Sequence, residues 1–425
     1  MKVALVCNTA VPAIAEAFQL PKAKPESWLI AHIEALEKKN CAVTVCFPVE
    51  EERGRISESV GNIRAESYTH DKCPERYNSK AEEEFVRIFE ETQPDIIHVF
   101  GTELPHTLAA VNAAQICGMP DRLVISIQGL VSVYGKHHFY AGLPAWVHHK
   151  KTFRDLLRRD SIARQRDSFV RRGRFETEAI QKAKHIIGRT DWDRACVEQI
   201  NPDVAYHFCN ETLRQSFYQN TWRRDACQEH SFFVSQANYP VKGFHVMLEA
   251  LALIVKKYPD AHLYTTGADP RAHANVNKKI RQSSYAWYLE KRIRELGLDK
   301  NVTFLGYLDE KQMCEQFLKS HIFVCASSIE NSPNSLGEAM LLGVPSISSD
   351  VGGVKNMMEH GKEGYVFPFD EPYMIAYYAD QIFSSDERAK QLSANAKVRA
   401  SQTHDPEKNA NTMWDIYEEI CQNNR

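Results

Sequence analysis

The sequence of 425 residues contains no apolar run approaching the ~20 residues that a membrane-spanning helix needs, which argues against an integral membrane protein. The apolar core of its opening, MKVALVCN, is too short for a signal peptide. Its eleven cysteines fall at irregular spacings without a C-x-x-C pair, as in a reducing compartment, and a cytoplasmic location is expected. A net charge of only −3 speaks against a general nucleic-acid binder. The stretch from Thr9 to Ser27 has no glycine, so the glycine-rich phosphate loop that opens many nucleotide folds is missing. The histidine pairs His137-His138 and His148-His149 lack zinc spacing; neither a metal nor a cofactor is expected.

What is present is an α/β pattern. Hydrophobic residues make up 43% and charged residues 25%, the usage of a globular protein, and the length suits two or three domains. Val3–Cys7, the helical period of Trp28–Lys38 and Ala42–Phe47 make one βαβ unit, which implies a parallel sheet. Arg53–Lys80 reads as an insertion or a small hairpin. Asp95–Phe100 is a strand with Gly101-Thr102-Glu103 at its carboxyl end, where open α/β sheets bind ligands. Glu103 and His106 are therefore acceptor-site candidates, with loop polarity and capping as the rival reading. Further strands are expected at Leu123–Ile127, ending in Gln128-Gly129, and at His185–Gly188, ending in Arg189. Thr190-x-x-Asp193 is a capping signal. Aperiodic polar sequence places a linker at 213–230. A second βα series starts at Phe232 and includes Ala261–Thr265, ending at Gly267, and Val302–Leu305, ending at Gly306-Tyr307. The domains expected are 1–212, 231–400 and a C-terminal segment, 401–425, whose helix packs back towards the first.

Residues 134–176 combine aromatics with a basic run. From Lys150 to Glu176 ten basic residues face four acidic ones, a net of +6. Such a stretch can rest on an anionic membrane surface, at roughly 1 kcal/mol per basic residue, or it can be a solvated helix held by its own ion pairs.

The densest chemistry is ENSPNSLGE, Glu330–Glu338. The apolar run His321–Ala326 precedes it as a buried strand, and a helical EAMLL follows, stopped by Gly343 and Pro345. A polar loop between strand and helix start is an anion site by virtue of free N–H groups and the helix dipole. Two carboxylates beside it suit the hydroxyls of a phosphorylated sugar. Alternatively, Ser335-x-x-Glu338 is a capping box, and Glu338 only satisfies its own helix.

ENSPNSLGEAMLLGVPSISSDVGGV closely resembles the signature of the retaining glycosyltransferases of family 4, with its E-x7-E, A-M, G-x-P and Gly-Gly turn in order. VKGF at 241–244, FLGYL at 304–308 and SQTHDPEK at 401–408 extend the resemblance over the C-terminal half, with weaker matches before it (HVFGTE, SIQGLVS, IIGRTDWDRA). The resemblance implies the GT-B fold, two Rossmann-like domains with parallel sheets facing a central cleft. It implies that Glu330 contacts donor-sugar hydroxyls, that Glu338 holds the nucleotide ribose, and that the N–H groups of Asn334, Ser335 and Leu336 meet the diphosphate. Lys242 matches the pyrophosphate lysine; Tyr307 borders the base, and Gly267 is counted with the donor site. Glu330 and Lys242 are the expected catalytic residues.

Two positions depart from the pattern. Gln236 stands where an arginine is common, six residues before Lys242, and Gln128 stands where a histidine is usual. Gln236 brings no positive charge to a leaving diphosphate, so Arg189 or a cation of 150–174 is the expected substitute. The resemblance thus implies a retaining, metal-independent hexosyltransferase. It would use a UDP- or GDP-linked sugar and a saccharide or lipid-linked saccharide acceptor, in capsule or exopolysaccharide assembly, peripheral at the inner face of the cell membrane. A nucleotide-sugar 2-epimerase, a non-catalytic nucleotide-sugar-binding subunit and, more remotely, a sugar phosphorylase are the rivals.

Overall fold

A computed structural model describes residues 1–21, 27–70, 72–272 and 280–423. The chain divides into two compact units: Met1–Val133, Ser168–Thr212 and His404–Arg425 form the first, Tyr134–Asp167 and Leu213–Thr403 the second.

The first unit is built on strands β1 (Lys2–Val6), β2 (Ala42–Val49), β3 (Ser57–Val60), β4 (Ile63–Thr69), β5 (Ile96–Phe100), β6 (Leu123–Ser126), β7 (His185–Gly188) and β8 (Ala205–Phe208). Their order across the sheet is β3-β4-β2-β1-β5-β6-β7-β8. All pairs are parallel except β3 with β4. The uncertain stretch 53–80 therefore holds a hairpin whose second strand extends the main sheet. Near-continuous apolar runs such as IIHVF are what a sheet covered on both faces demands. The C-terminal helix Pro406–Asn423 covers one face, burying Ile416, Tyr417 and Ile420 among the β1, β2 and β5 side chains.

The second unit carries β9 (Gln228–Val234), β10 (His262–Thr265), β11 (Val302–Phe304), β12 (Ser320–Cys325), β13 (Ser346–Ser349) and β14 (Tyr365–Phe367). They form one parallel sheet, ordered β11-β10-β9-β12-β13-β14. The chain runs outward from β9 to β11, then returns to β12 beside β9 and runs outward the other way. This reversal opens a crevice at the carboxyl ends of β9 and β12. The corresponding reversal in the first unit lies between β1 and β5.

Two segments lie elsewhere than the sequence suggests. Residues 134–167, read with the first domain, group with the second unit. Thr152 Oγ1 donates to the Gln282 carbonyl (2.7 Å), and Ser328 Oγ donates to the His138 carbonyl (3.0 Å). The stretch 213–230, read as a linker, is part of the second unit's body. It forms the helix Gln215–Gln219 and the start of β9, and Trp222 Nε1 donates to the Ser320 carbonyl (2.9 Å). A single buried tryptophan anchored in this way outweighs the polar, aperiodic sequence around it.

Candidate functional site

Lys242 sits in the loop after β9, in a one-turn helix Pro240–Lys242. Gly243 follows with φ +64°, and a Cβ there would lie 1.7 Å from the Ala326 carbonyl oxygen, so only glycine lets this loop press against the end of β12. Glu330 lies in the loop after β12, held from the other side. The Gly353 N–H donates to its carbonyl (3.1 Å), and a Cβ on Gly352 would come within 1.8 Å of that same oxygen. The two loops bring the side chains into an ion pair: Lys242 Nζ donates to Glu330 Oε1 at 2.6 Å, as does Ser327 Oγ at 2.6 Å. Both bonds fall on Oε1, which leaves Oε2 unclaimed among the described residues. Burial works against the lysine's charge, but the carboxylate beside it holds the ammonium above its ordinary range.

The helix Asn334–Leu342 starts next to this pair. Its first residue follows Pro333, and Gly343 ends it with φ +80°. The N–H groups of Asn334 and Ser335 have no carbonyl within the helix to bond. The Leu336 N–H, expected among the anion donors, already donates to the Pro333 carbonyl (2.9 Å). The capping box also fails to form: no side chain caps this helix. Glu338 instead faces Arg214, whose Nε and Nη2 donate to its two carboxylate oxygens at 2.6 Å each. Burial pushes the Glu338 carboxyl up, and the guanidinium opposes that shift. Arg214 also lies over the Phe217 ring, 4.7 Å from its centroid. Sequence reading missed Arg214 because it lay in the supposed linker; its spacing from Glu338, 124 positions, carries no signal.

Of the remaining residues read with this site, Gln236 is half-buried in the loop after β9. Gly267 follows β10 and donates its N–H to the Gly306 carbonyl (2.9 Å), joining the ends of β10 and β11. The Tyr307 ring next to that bridge is 72% exposed.

Arg189, Gln128, Glu103 and His106 belong to the first unit. Arg189 is buried and paired with Glu211 (2.5 Å), which also accepts from Gln128 Nε2 (2.5 Å). Its charge is thus answered within its own unit. Thr102 donates its N–H to Glu103 Oε2 (2.9 Å), and burial raises that carboxyl's pKa. His106 stacks on Tyr68 with ring centroids 5.9 Å apart, and burial lowers its pKa to about 4, so the imidazole is neutral. Its Nε2 is buried without a hydrogen-bond partner among the described residues. Below these residues is a group that sequence reading did not single out. Glu176 on the helix Ile162–Lys182 accepts from Thr102 Oγ1 (2.7 Å) and from the N–H groups of Val131 (3.2 Å) and Ser132 (2.7 Å). It ties the loop after β5 to the loop after β6. No local sequence signal marks it, since Asp167 and Glu178 are acids of the same helix.

Among the described residues no group of three or more histidine, cysteine, aspartate or glutamate side chains is placed to hold a metal ion. No described helix is long and apolar enough to cross a membrane.

Residues 221–399 match the family model "Glycosyl transferases group 1". Spore coat protein SA of Bacillus subtilis is 27% identical over 42% of this chain and 46% of its own length, so the chain spans about half of that curated relative. Among solved structures, sucrose-phosphate synthase from Thermosynechococcus elongatus aligns with a TM-score of 0.71 at 17% identity, over 99% of each chain. The fold is GT-B. Anabaena Alr3699/HepE, solved in complex with UDP-glucose, aligns with a TM-score of 0.67 at 16% identity over 99% of this chain and 100% of that one. The matched segment 221–399 contains Lys242, Glu330, Glu338 and the helix start between the carboxylates, so the motif and the switch-point crevice coincide.

Proposed function

We propose that this chain is a retaining glycosyltransferase that moves a hexose-type sugar from a nucleoside diphosphate sugar, UDP- or GDP-linked, to a saccharide hydroxyl. The reading rests on the Lys242–Glu330 pair (2.6 Å) at the switch point, beside the start of the helix Asn334–Leu342. The diphosphate lies against the Asn334 and Ser335 N–H groups and the Lys242 ammonium. These stabilise the charge that develops on it as the anomeric bond breaks. Oε2 of Glu330 accepts sugar hydroxyls. Glu338, oriented by Arg214, accepts the ribose hydroxyls through its remaining lone pairs. The acceptor attacks from the face the diphosphate leaves, so no protein nucleophile takes part, and with lysine and helix start supplying the positive charge the reaction runs without a metal ion or cofactor. Gln128, Glu103 and His106 contact the acceptor. The acceptor is a lipid-linked saccharide of cell-surface polysaccharide assembly, met at the cytoplasmic membrane face. The aromatic and basic character of 134–176 supports that setting.

Nucleotide binding without turnover is a second reading, favoured by the neutral Gln236 in a position where an arginine would aid the leaving group. A thermal-shift series with nucleoside diphosphates and their sugars tests the donor site, UDP and UDP-glucose first because the Anabaena protein was solved with the latter. A ligand at 100 times its dissociation constant adds about 2.7 kcal/mol. No stabilisation by any UDP or GDP compound refutes the assignment. Nucleoside diphosphate release upon adding membrane extract then separates the transferase from the binding subunit.

A further inference from the structure

The short helix Phe153–Arg158 is turned inside out. Its acid, Asp155, is buried and accepts the Ser284 N–H (3.0 Å), while Phe153, Leu156 and Leu157 are 62%, 62% and 76% exposed. The N-cap Thr152 pins the same end to Gln282 (2.7 Å). Two neighbouring anchors therefore fix the helix with its apolar side outward, which a merely solvated helix would not adopt. Ile280, 43% exposed, adds to this side. A cavity of about 430 Å³ opens there, lined by Phe153, Arg154, Leu157, Arg158, Ile280 and Arg281. Arg154 is paired with Asp155 and Asp160, whereas Arg158, Arg159 and Arg281 are exposed. Beyond Ser284, on the helix Ser284–Glu295, the Trp287 ring carries the Lys150 ammonium 4.4 Å from its centroid. The half-exposed Trp146 carries Lys291 at 4.8 Å.

We infer that this face of the second unit docks on an anionic lipid bilayer, with Phe153, Leu156, Leu157 and Ile280 entering the acyl boundary and the arginines meeting headgroup phosphates. Tryptophan–lysine pairs at the margin suit the headgroup level, where ring and charge are both satisfied. An apolar wedge ringed by cations, on a chain whose net charge is −3, matches an anionic surface. A second copy fits poorly: a symmetric contact would set Arg158 and Arg281 against their own like charges. The inference deepens the membrane setting proposed above and moves it from 134–176 as a whole to 146–159 with 280–291. In the rest of that stretch, Arg171 is taken up by Glu75 (2.6 Å) and Arg172 lies against Phe169 (4.6 Å to the centroid).

The test is co-sedimentation of the full chain with vesicles of phosphatidylcholine alone and of equal parts phosphatidylcholine and phosphatidylglycerol, at low and high salt. The chain is expected to pellet with the anionic vesicles and to be released by salt. Leu156→Ser/Leu157→Ser should lower partitioning at least about tenfold, and Arg158→Glu/Arg281→Glu about 25-fold or more, at roughly fivefold per basic residue. All four side chains are exposed, and an unchanged melting temperature and UDP-induced shift certify the fold of each variant. No pelleting, pelleting unchanged in both variants, or a dimer in solution that Leu157→Ser dissolves would each overturn the inference. Loss of vesicle binding with the UDP shift intact refutes only the docking face. Loss of the UDP shift in the parent chain, with vesicle binding intact, refutes only the donor site.

Discussion

Lys242 and Glu338 are both charged groups held in largely buried positions, yet their partners give them different sensitivities. Lys242 has one carboxylate beside it, that of Glu330. In the transfer proposed above, Lys242→Ala removes a preorganised cation from the leaving group, so kcat for nucleoside diphosphate release should fall 10²–10³-fold, about 2.7–4 kcal/mol. Glu338 depends on Arg214 for both of its carboxylate oxygens. Arg214→Gln leaves a buried carboxylate without its cation, at a cost of about 3–5 kcal/mol, measurable by chemical denaturation. The same variant should bind UDP more weakly, because Glu338 loses the guanidinium that orients both of its carboxylate oxygens. Unchanged stability in Arg214→Gln would show that the pair is dispensable. The motif around Glu338 was legible in sequence, and of the two readings given there only the capping box fails: such a box needs only four adjacent residues, whereas the pairing with Arg214 found in its place needed the fold.

At the scale of elements, Glu176 shows one helix controlling two loops. It joins the helix Ile162–Lys182 to the residues after β5 and β6. Close contact accompanies the bond, since a Cβ on Gly173 would lie 2.5 Å from Ser132 Cα. Burial first, opposed by these donors, raises the carboxyl's pKa from 4.5 to about 7. The folded chain therefore holds this proton more tightly than the unfolded chain. The stability it contributes is full below about pH 4.5 and is lost as pH rises towards 7. The span corresponds to about 3 kcal/mol at 1.36 kcal/mol per unit. Glu176→Gln should flatten the fall in stability between those pH values, measured by urea unfolding at several pH values. A slope equal to that of the parent would show that Glu176 does not titrate there. The helices and strands themselves were largely legible: β1, β2, β5 and β7 appear within a few residues of the periodic apolar runs, and the Thr190 cap forms as a capping box. The exceptions are 134–167 and 213–230, whose residues are held by several long-range bonds that leave no periodic trace.

For the whole molecule, the chain's last helix belongs with its first strands. Tyr417 on Pro406–Asn423 places its hydroxyl 2.6 Å from His98 Nδ1 and 2.9 Å from His32 Nε2, and His98 Nε2 is 2.7 Å from Ser126 Oγ. Burial keeps both rings neutral, lowering His32 to about 4 and His98 well below its ordinary range. The hydroxyl can donate to one ring and accept from the other. Tyr417→Phe strands two buried ring nitrogens and should cost about 1–3 kcal/mol, with faster amide exchange in β1 and β5. Exchange unchanged in those strands would show that the C-terminal helix is held by apolar contact alone.

The sequence by itself determined the two α/β series, the parallel sheets and the strand–loop–helix around Glu330–Glu338, because these follow from periodicity and from turn and cap residues within a few positions of one another. Only the tertiary structure decided that Lys242 and Glu330 form a pair across the β9/β12 reversal, that Glu338 answers to Arg214, that Arg189 is neutralised by Glu211, and that Phe153–Arg158 shows its apolar side to solvent. Each joins segments or faces whose relation is set by strand order and burial. Neither quantity is written in local spacing.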